Sequence, residues 1–266
     1  MKTIDSEGWG AVWAAIDSNH IVEDIAHHSV RARYQKIMAY LRAKLGSLEG
    51  KTTIEIGCGG AIYSLLFAQH GAKITLFDYS AEALKLAEKN LKALNLNGEL
   101  VQGDAFKPPE GIKDYDLAMS FGTVEHYHYP ERYLICKSHA DFVKPNGIVL
   151  ISTPNVAFLP HELLKLWMQK TNKWFLGYEG SFSRGEMLQM AHRLYLSDPA
   201  IVGSSFHNDF SYYTHVVKNT ATFRRYITHA KQEVPYQRAK EAQRGHWWDD
   251  YFGLDIAVLD VKRHEV

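Results

Sequence analysis

Thr53-Ile54-Glu55-Ile56-Gly57-Cys58-Gly59-Gly60, followed by Ala61-Ile62-Tyr63-Ser64-Leu65-Leu66-Phe67-Ala68, is an apolar strand that runs into a glycine turn and then into a helical pattern. Glycine belongs where backbone takes positive φ or lies close against a ligand. In a parallel sheet, such a strand-to-helix turn is where nucleotide-like cofactors bind. The dinucleotide fingerprint requires a small residue three positions after the second glycine, and that position is Ile62. A phosphate-binding P-loop requires a Lys-Ser/Thr pair after a longer loop, which the stretch lacks. No Lys or Arg stands between Thr52 and Ala72, the reverse of what a pyrophosphate calls for. The stretch predicts a cradle for a cofactor without phosphates.

Outward from this turn, the chain alternates strand and helix, the pattern of a doubly wound parallel sheet. Strands are predicted at Thr52–Ile56, Lys73–Phe77 ending at Asp78, Glu99–Gln102, Tyr115–Phe121 and Ile148–Ser152. Helices are predicted from about Gly60 to His70, from the Ser80 cap to about Asn95, and from Pro130 to about Val143. Lys144-Pro145-Asn146-Gly147 reads as a turn. Upstream, residues 5–47 read as helical, with stripes of Trp9, Val12, Trp13 and Ile16 and then Ile37, Tyr40, Leu41 and Leu45. Downstream, residues 156–196 read as mainly helical, 200–206 as a sixth strand, 211–244 as helical and 251–261 as a closing strand. One domain is expected, with a helical extension at 1–47, a main domain at 48–266 and a mainly helical lid at about 156–244.

The 266 residues carry 30 Lys plus Arg against 30 Asp plus Glu, so no global charge steers the chain to nucleic acid or an anionic membrane. No apolar run approaches the roughly 20 residues that span a bilayer. Met1-Lys2-Thr3-Ile4-Asp5 lacks the charged-then-apolar order of a signal peptide. Cys58 and Cys136 make no disulfide framework, and a reducing cytoplasm is the expected setting. The one compositional excess is 14 histidines with 12% aromatics.

Ligands of such a sheet sit beyond the carboxyl ends of the strands. Those ends carry Gly57–Gly60, Asp78-Tyr79, Asp104-Ala105-Phe106, the run 121–128 and Thr153–Asn155. Asp78, 21 positions beyond Gly57, suits both hydroxyls of a ribose. Asp104 suits an exocyclic adenine amine, with Phe106 over the ring. Taken singly, each aspartate reads equally well as a cap or turn residue. Ser80 caps after Asp78 and Ala105 follows Asp104, so capping is not expected to account for both.

As a set these residues resemble the class I S-adenosylmethionine-dependent methyltransferases over roughly residues 50–155. Glu55-x-Gly57-x-Gly59 resembles the first motif, Asp78 the second, Gly103-Asp104-Ala105 the third and Asp116–Phe121 the fourth. Lys144-Pro145-Asn146-Gly147 stands where the family has Lys-Pro-Gly-Gly. The resemblance implies an α/β, Rossmann-like seven-stranded sheet whose last strand is antiparallel. It implies S-adenosyl-L-methionine as cofactor, held by Glu55, Gly57, Cys58, Gly59, Asp78, Tyr79, Asp104, Ala105, Phe106 and Phe121. Val124-Glu125-His126 and Ile151–Asn155 resemble the small-molecule branch that includes the ubiquinone-biosynthesis O-methyltransferases. Those enzymes associate a Glu-x-x-Glu-His run with a divalent metal; here the first position is Gly122, and no metal is assigned.

Transfer to a hydroxyl requires removal of its proton, a task for a near-neutral histidine. His126 and His128 are the candidate bases, with His161 and His207 in the closing segments. Pocket walls are expected from Trp9, Trp13 and Tyr34, and from Phe158, Trp167, Trp174, Phe175, Tyr178, Phe206, Phe210, Tyr212 and Tyr213, although most of the second group read more readily as the lid's own core. The expected partner is a small-molecule methyl acceptor, O- or N-methylation favoured, with no nucleic acid and no membrane; a homodimer is compatible with the sequence. A protein or nucleic-acid methyltransferase is the competing enzyme reading. Zero net charge and the lack of an Asn/Asp-Pro-Pro-aromatic motif after strand four stand against it. A non-catalytic cofactor-binding module is the third.

Overall fold

The computed structural model describes residues 5–16, 19–211 and 246–262. Seven strands form one sheet: β1 Thr52–Ile56, β2 Lys73–Asp78, β3 Glu99–Gln102, β4 Tyr115–Phe121, β5 Val143–Pro154, β6 Ala200–Gly203 and β7 Asp255–Val261. Their order is β3-β2-β1-β4-β5-β7-β6, with β7 antiparallel to both neighbours. The chain reverses direction across the sheet between β1 and β4, which opens a crevice at their carboxyl ends.

Strands buried on both faces send alternate residues to opposite sides. Leu117, Met119, Ile148, Leu150, Ala257 and Leu259 join the core under α3 (Ala32–Leu45) and α4 (Ile62–Ala68). Ile54, Ile56, Ala118, Val149, Ile151 and Val258 join the core under α6 (Glu131–Phe142) and α8 (Arg184–Arg193). Among the described residues the sheet is further flanked by α1 (Ser6–Ala14), α2 (Ile21–Ser29), α5 (Ala81–Ala93), α7 (Leu159–Lys170) and the short α9 (Asp249–Phe252). Ser80 caps α5 through its hydroxyl to the Ala83 amide at 3.3 Å, a contact of roughly 1 kcal/mol.

β5 corrects one expectation. Lys144–Gly147 lies inside the strand, where the register with β4 shifts between Tyr115 and Leu117. Three extra residues of β5 are taken up there, with Asn146 at φ 64°, and Lys144 reaches Asp116 at 2.7 Å. The bulge does what the turn was expected to do, without leaving the sheet. β6 stops at Gly203, shorter than expected, because Ser204 turns to meet Asp209 and the Asp255 amide. The closing strand begins at Asp255, after α9. The expected helix over 211–244, with Tyr212 and Tyr213, falls beyond Ser211 outside the described residues.

Candidate functional site

The glycine turn leaves β1 through alternating left-handed residues, Gly57 at φ 64°, Gly59 at 48° and Ala61 at 59°. A Cβ on Gly57 would lie 2.6 Å from the Thr123 methyl, and one on Gly59 would collide with the Trp13 ring. Asp78 pins the turn from β2: its Oδ2 accepts the Gly59 amide at 3.1 Å and its Oδ1 the Ser80 amide at 2.9 Å. Burial raises the Asp78 pKa, against the pull of these amides. Asp104 Oδ1 accepts the Phe106 amide at 2.9 Å. Both aspartates therefore close local turns, against the expectation that turn chemistry would not cover both. Asp78 alone uses its second oxygen to hold the glycine turn of the neighbouring β1.

Glu55 and Cys58 are both buried. Glu55 Oε2 accepts both the amide (3.2 Å) and the hydroxyl (2.5 Å) of Ser64, so its side chain fastens α4 to β1. Cys58 is a buried thiol whose pKa burial raises, 3.9 Å from the Gly59 carbonyl, and only its backbone belongs to the turn. Burial, more than the nearby Asp78, pushes the Glu55 carboxyl up to about 7 from 4.5, although both Ser64 bonds pull it down. Between those values the folded chain keeps a proton that the unfolded chain releases, so stability falls as pH rises through that window. Glu55→Gln carries no such charge. Urea titrations from about pH 5 to about pH 8 should show it losing up to roughly 3 kcal/mol less than wild type. Equal losses in the two proteins would mean that Glu55 is ionised at no such cost.

Beyond the turn, Phe121 stacks on Tyr63 at 3.7 Å and 11°. Over this pair lies Arg33, which no periodicity in the sequence marks out. Its Nε donates to the Tyr63 hydroxyl at 2.9 Å, and its Nη1 to Ser152 Oγ and Asp255 Oδ2, both at 2.9 Å. Burial opposes its charge, but Asp255, the Tyr63 hydroxyl and Asp209 together more than compensate, and the guanidinium is held ionised. On the nucleoside side, Phe106 meets Tyr127 edge-on at 5.2 Å, beside half-buried Tyr79 and Ala105. The Tyr79 phenol is raised first by burial and then by Tyr127 and Asp78.

His126 is buried in a 3-10 turn after β4, Val124–His126. Its Nδ1 lies 2.9 Å from the Tyr178 carbonyl, which can only accept, so Nδ1 carries the proton and Nε2 the lone pair. Burial lowers its pKa below the ordinary histidine value, outweighing the Tyr178 bond and the charge of Glu179. His128 is exposed and stacks on the Tyr178 ring at 3.5 Å. His161 Nε2 lies 2.6 Å from Glu179, which also meets Lys165 at 3.5 Å. Burial raises the Glu179 carboxyl, but His161 and Lys165 pull it net downward. His207 is exposed.

α1 joins the two halves. Trp13 covers Gly59, Trp9 meets the His126 ring edge-on at 4.8 Å, and the two indoles stack at 6.2 Å. One helix thus spans from the glycine turn to the histidine. Tyr34 is not a wall: it is buried against Phe67 and bonds His70 at 3.1 Å. Phe158 is fully buried and Trp174 nearly so, whereas Trp167 and Phe210 face outward. Glu125 is buried with Oε2 lacking a hydrogen-bond partner, its carboxyl raised by burial and then by Glu179. Among the described residues no group of three or more His, Cys, Asp or Glu side chains is placed to hold a metal.

A family model described as a methyltransferase domain matches residues 26–198. The ubiquinone biosynthesis O-methyltransferase of Nitrosomonas europaea is 30% identical over 179 residues, 63% of this chain and 72% of that protein. The enzyme of the same name from Glaesserella parasuis is 32% identical over 123 residues, 44% of this chain. The chain spans about half the length of that relative, 51%. In fold, it resembles magnesium protoporphyrin IX methyltransferase from Synechocystis, solved with bound SAH, at TM-score 0.56 and 15% identity over 96% of this chain and 93% of that one. A putative sarcosine dimethylglycine methyltransferase from Galdieria sulphuraria gives 0.56 and 15% over 88% and 87%.

Proposed function

This chain belongs to the methyltransferase-domain family, and on that premise we propose that it transfers a methyl group from S-adenosylmethionine to a hydroxyl of a small organic molecule. The observation that carries the reading is the pairing, under one helix, of a glycine cradle without basic residues and a buried imidazole fixed as a neutral base.

The residues present fit the cofactor. Gly57 and Gly59 let Thr123 and Trp13 pack directly on the turn, which no residue with a Cβ would allow, and Asp78 stands beside them as a buried acceptor for ribose hydroxyls. Asp104, Ala105 and Phe106, with Tyr79, would flank the base. Arg33 supplies, next to Phe121, a cation for an amino-acid carboxylate. When bound, S-adenosylmethionine supplies an electrophilic sulfonium methyl. The chain's own work is then alignment, exclusion of water and one proton transfer. His126 Nε2 takes the proton of the acceptor hydroxyl, while Nδ1–H stays on Tyr178 and Glu179 steadies the resulting positive ring. Trp9 and Trp13 exclude water from above. In this reading residues 1–47 are the helical extension and 48–266 the catalytic domain, with a mainly helical lid at about 156–244 as a second cover.

The relatives of that name act as O-methyltransferases, which favours oxygen over nitrogen as the accepting atom. A cytoplasmic setting belongs to the same proposal; among the described residues no helix is long and apolar enough to cross a membrane. Calorimetry with S-adenosylmethionine should give measurable heat that Asp78→Ala abolishes. Methyl-labelled cofactor should then label hydroxylated aromatic small molecules. No heat, or label confined to protein or nucleic acid, would overturn the reading.

A further inference from the structure

Arg132, in the first turn of α6, is a cation only 6% exposed and lies outside the machinery described above. It does not face an acidic cluster; it faces carbonyls. Its Nε donates to the Tyr127 carbonyl at 3.1 Å and its Nη2 to the carbonyls of Glu125 (3.4 Å) and Gly180 (2.6 Å). Its Nη1 pairs with Glu186 of α8 at 3.0 Å, and the guanidinium lies over the Phe182 ring at 4.3 Å. The two loop carbonyls are those on either side of His126. The third belongs to the segment whose Tyr178 carbonyl orients the His126 ring. A further backbone bond, from the Gly180 amide to the Glu125 carbonyl at 2.9 Å, joins the same strips. Gly180 has no room for a side chain, since a Cβ there would collide with Arg132 Nη2.

We propose that Arg132 is the positioning residue of the proton-transfer step: it clasps the turn carrying His126 to the segment 178–180, so that the Tyr178 carbonyl meets Nδ1 and Nε2 points at the acceptor. The proposal rests on the methyl-transfer reading above. A planar fork is needed for this task, because three carbonyls in different directions are served by separate N–H groups in one plane. Lysine keeps the charge and the pairing with Glu186 but serves the carbonyls as a single point. Arg132 acts only through His126, as it touches neither the glycine turn nor Asp78.

The test uses the full chain with S-adenosylhomocysteine bound and catechol as the acceptor probe. Arg132→Lys should bind S-adenosylhomocysteine within about twofold of wild type, lower kcat about tenfold and leave the KM for S-adenosylmethionine unchanged. Its Gly180 amide should exchange hydrogen about tenfold faster, with exchange across β1 and α4 unaltered. In a His126→Asn background the same substitution should change kcat by less than about twofold, because its route is already cut. Glu186→Gln, which keeps all three carbonyl bonds, should cost less than about threefold. Wild-type kcat and exchange in Arg132→Lys would overturn the proposal. So would a kcat loss that adds in full to that of His126→Asn. If wild type methylates no catechol, the acceptor class of the parent reading fails, and the exchange comparison alone still decides the clasp.

Discussion

Gly57→Ala should weaken binding of S-adenosylmethionine by at least about 100-fold while leaving the sheet folded, as read by calorimetry and far-ultraviolet circular dichroism. The left-handed φ of 64° costs a residue with a Cβ roughly 1–2 kcal/mol. The new methyl would also sit 2.6 Å from Thr123 Cγ2 and 2.7 Å from its hydroxyl. Thr123 cannot simply turn aside, because that hydroxyl donates to the carbonyls of Ile56 at 3.3 Å and Gly57 at 3.4 Å. The least costly relief is for the turn to leave its conformation, which carries the Gly59 amide away from Asp78 and opens the cradle. Strain and contact together approach about 3 kcal/mol, or roughly 100-fold in a dissociation constant. Adding Thr123→Ala removes the contact but not the φ, so the double variant should recover about half of the lost free energy. An affinity for Gly57→Ala within about threefold of wild type would mean that the turn does not shape the cofactor site.

The sheet was readable because buried parallel strands announce themselves twice, as apolar runs and as stops at Gly or Asp. β1, β3 and β4 have the expected bounds for that reason. The bulge in β5 was not readable, since Pro and Gly mark a turn and a bulged strand alike. In the candidate site, the residues that share one strand end with a glycine or aspartate can be proposed from their order in the chain. Their partners cannot. Tyr178 is 52 positions from His126, and Arg33 is 119 from Ser152, and nothing local in either segment marks such pairings. Glu55 is a further case. The resemblance implies a cofactor role for it, and in the fold its side chain is bonded to Ser64 of α4, a partner that nothing local in the sequence marks.

His126→Asn should lower kcat by roughly 100- to 10,000-fold with the dissociation constant for S-adenosylmethionine unchanged within about twofold. Asparagine is preferred to alanine here because its amide can still donate to the Tyr178 carbonyl. Alanine would leave that buried acceptor unpaired, at roughly 1–3 kcal/mol, and confuse lost chemistry with lost packing. The pH profile gives an independent reading. A base is active when deprotonated, and burial holds the His126 pKa below the ordinary histidine value. The acid limb of kcat should therefore lie below that value and vanish in His126→Asn, leaving slow, pH-independent turnover. His128→Ala is the control: its ring is exposed and rests on Tyr178 rather than on the crevice side, so turnover should stay within about threefold. If the two histidines exchange these outcomes, the base is His128 and the Tyr178 bond serves only the fold. If neither matters, alignment alone carries the transfer, because the sulfonium is electrophilic enough to methylate an already ionised acceptor. In that case the acid limb would follow the acceptor's own pKa and move when the acceptor is changed, whereas a limb set by His126 stays with the enzyme.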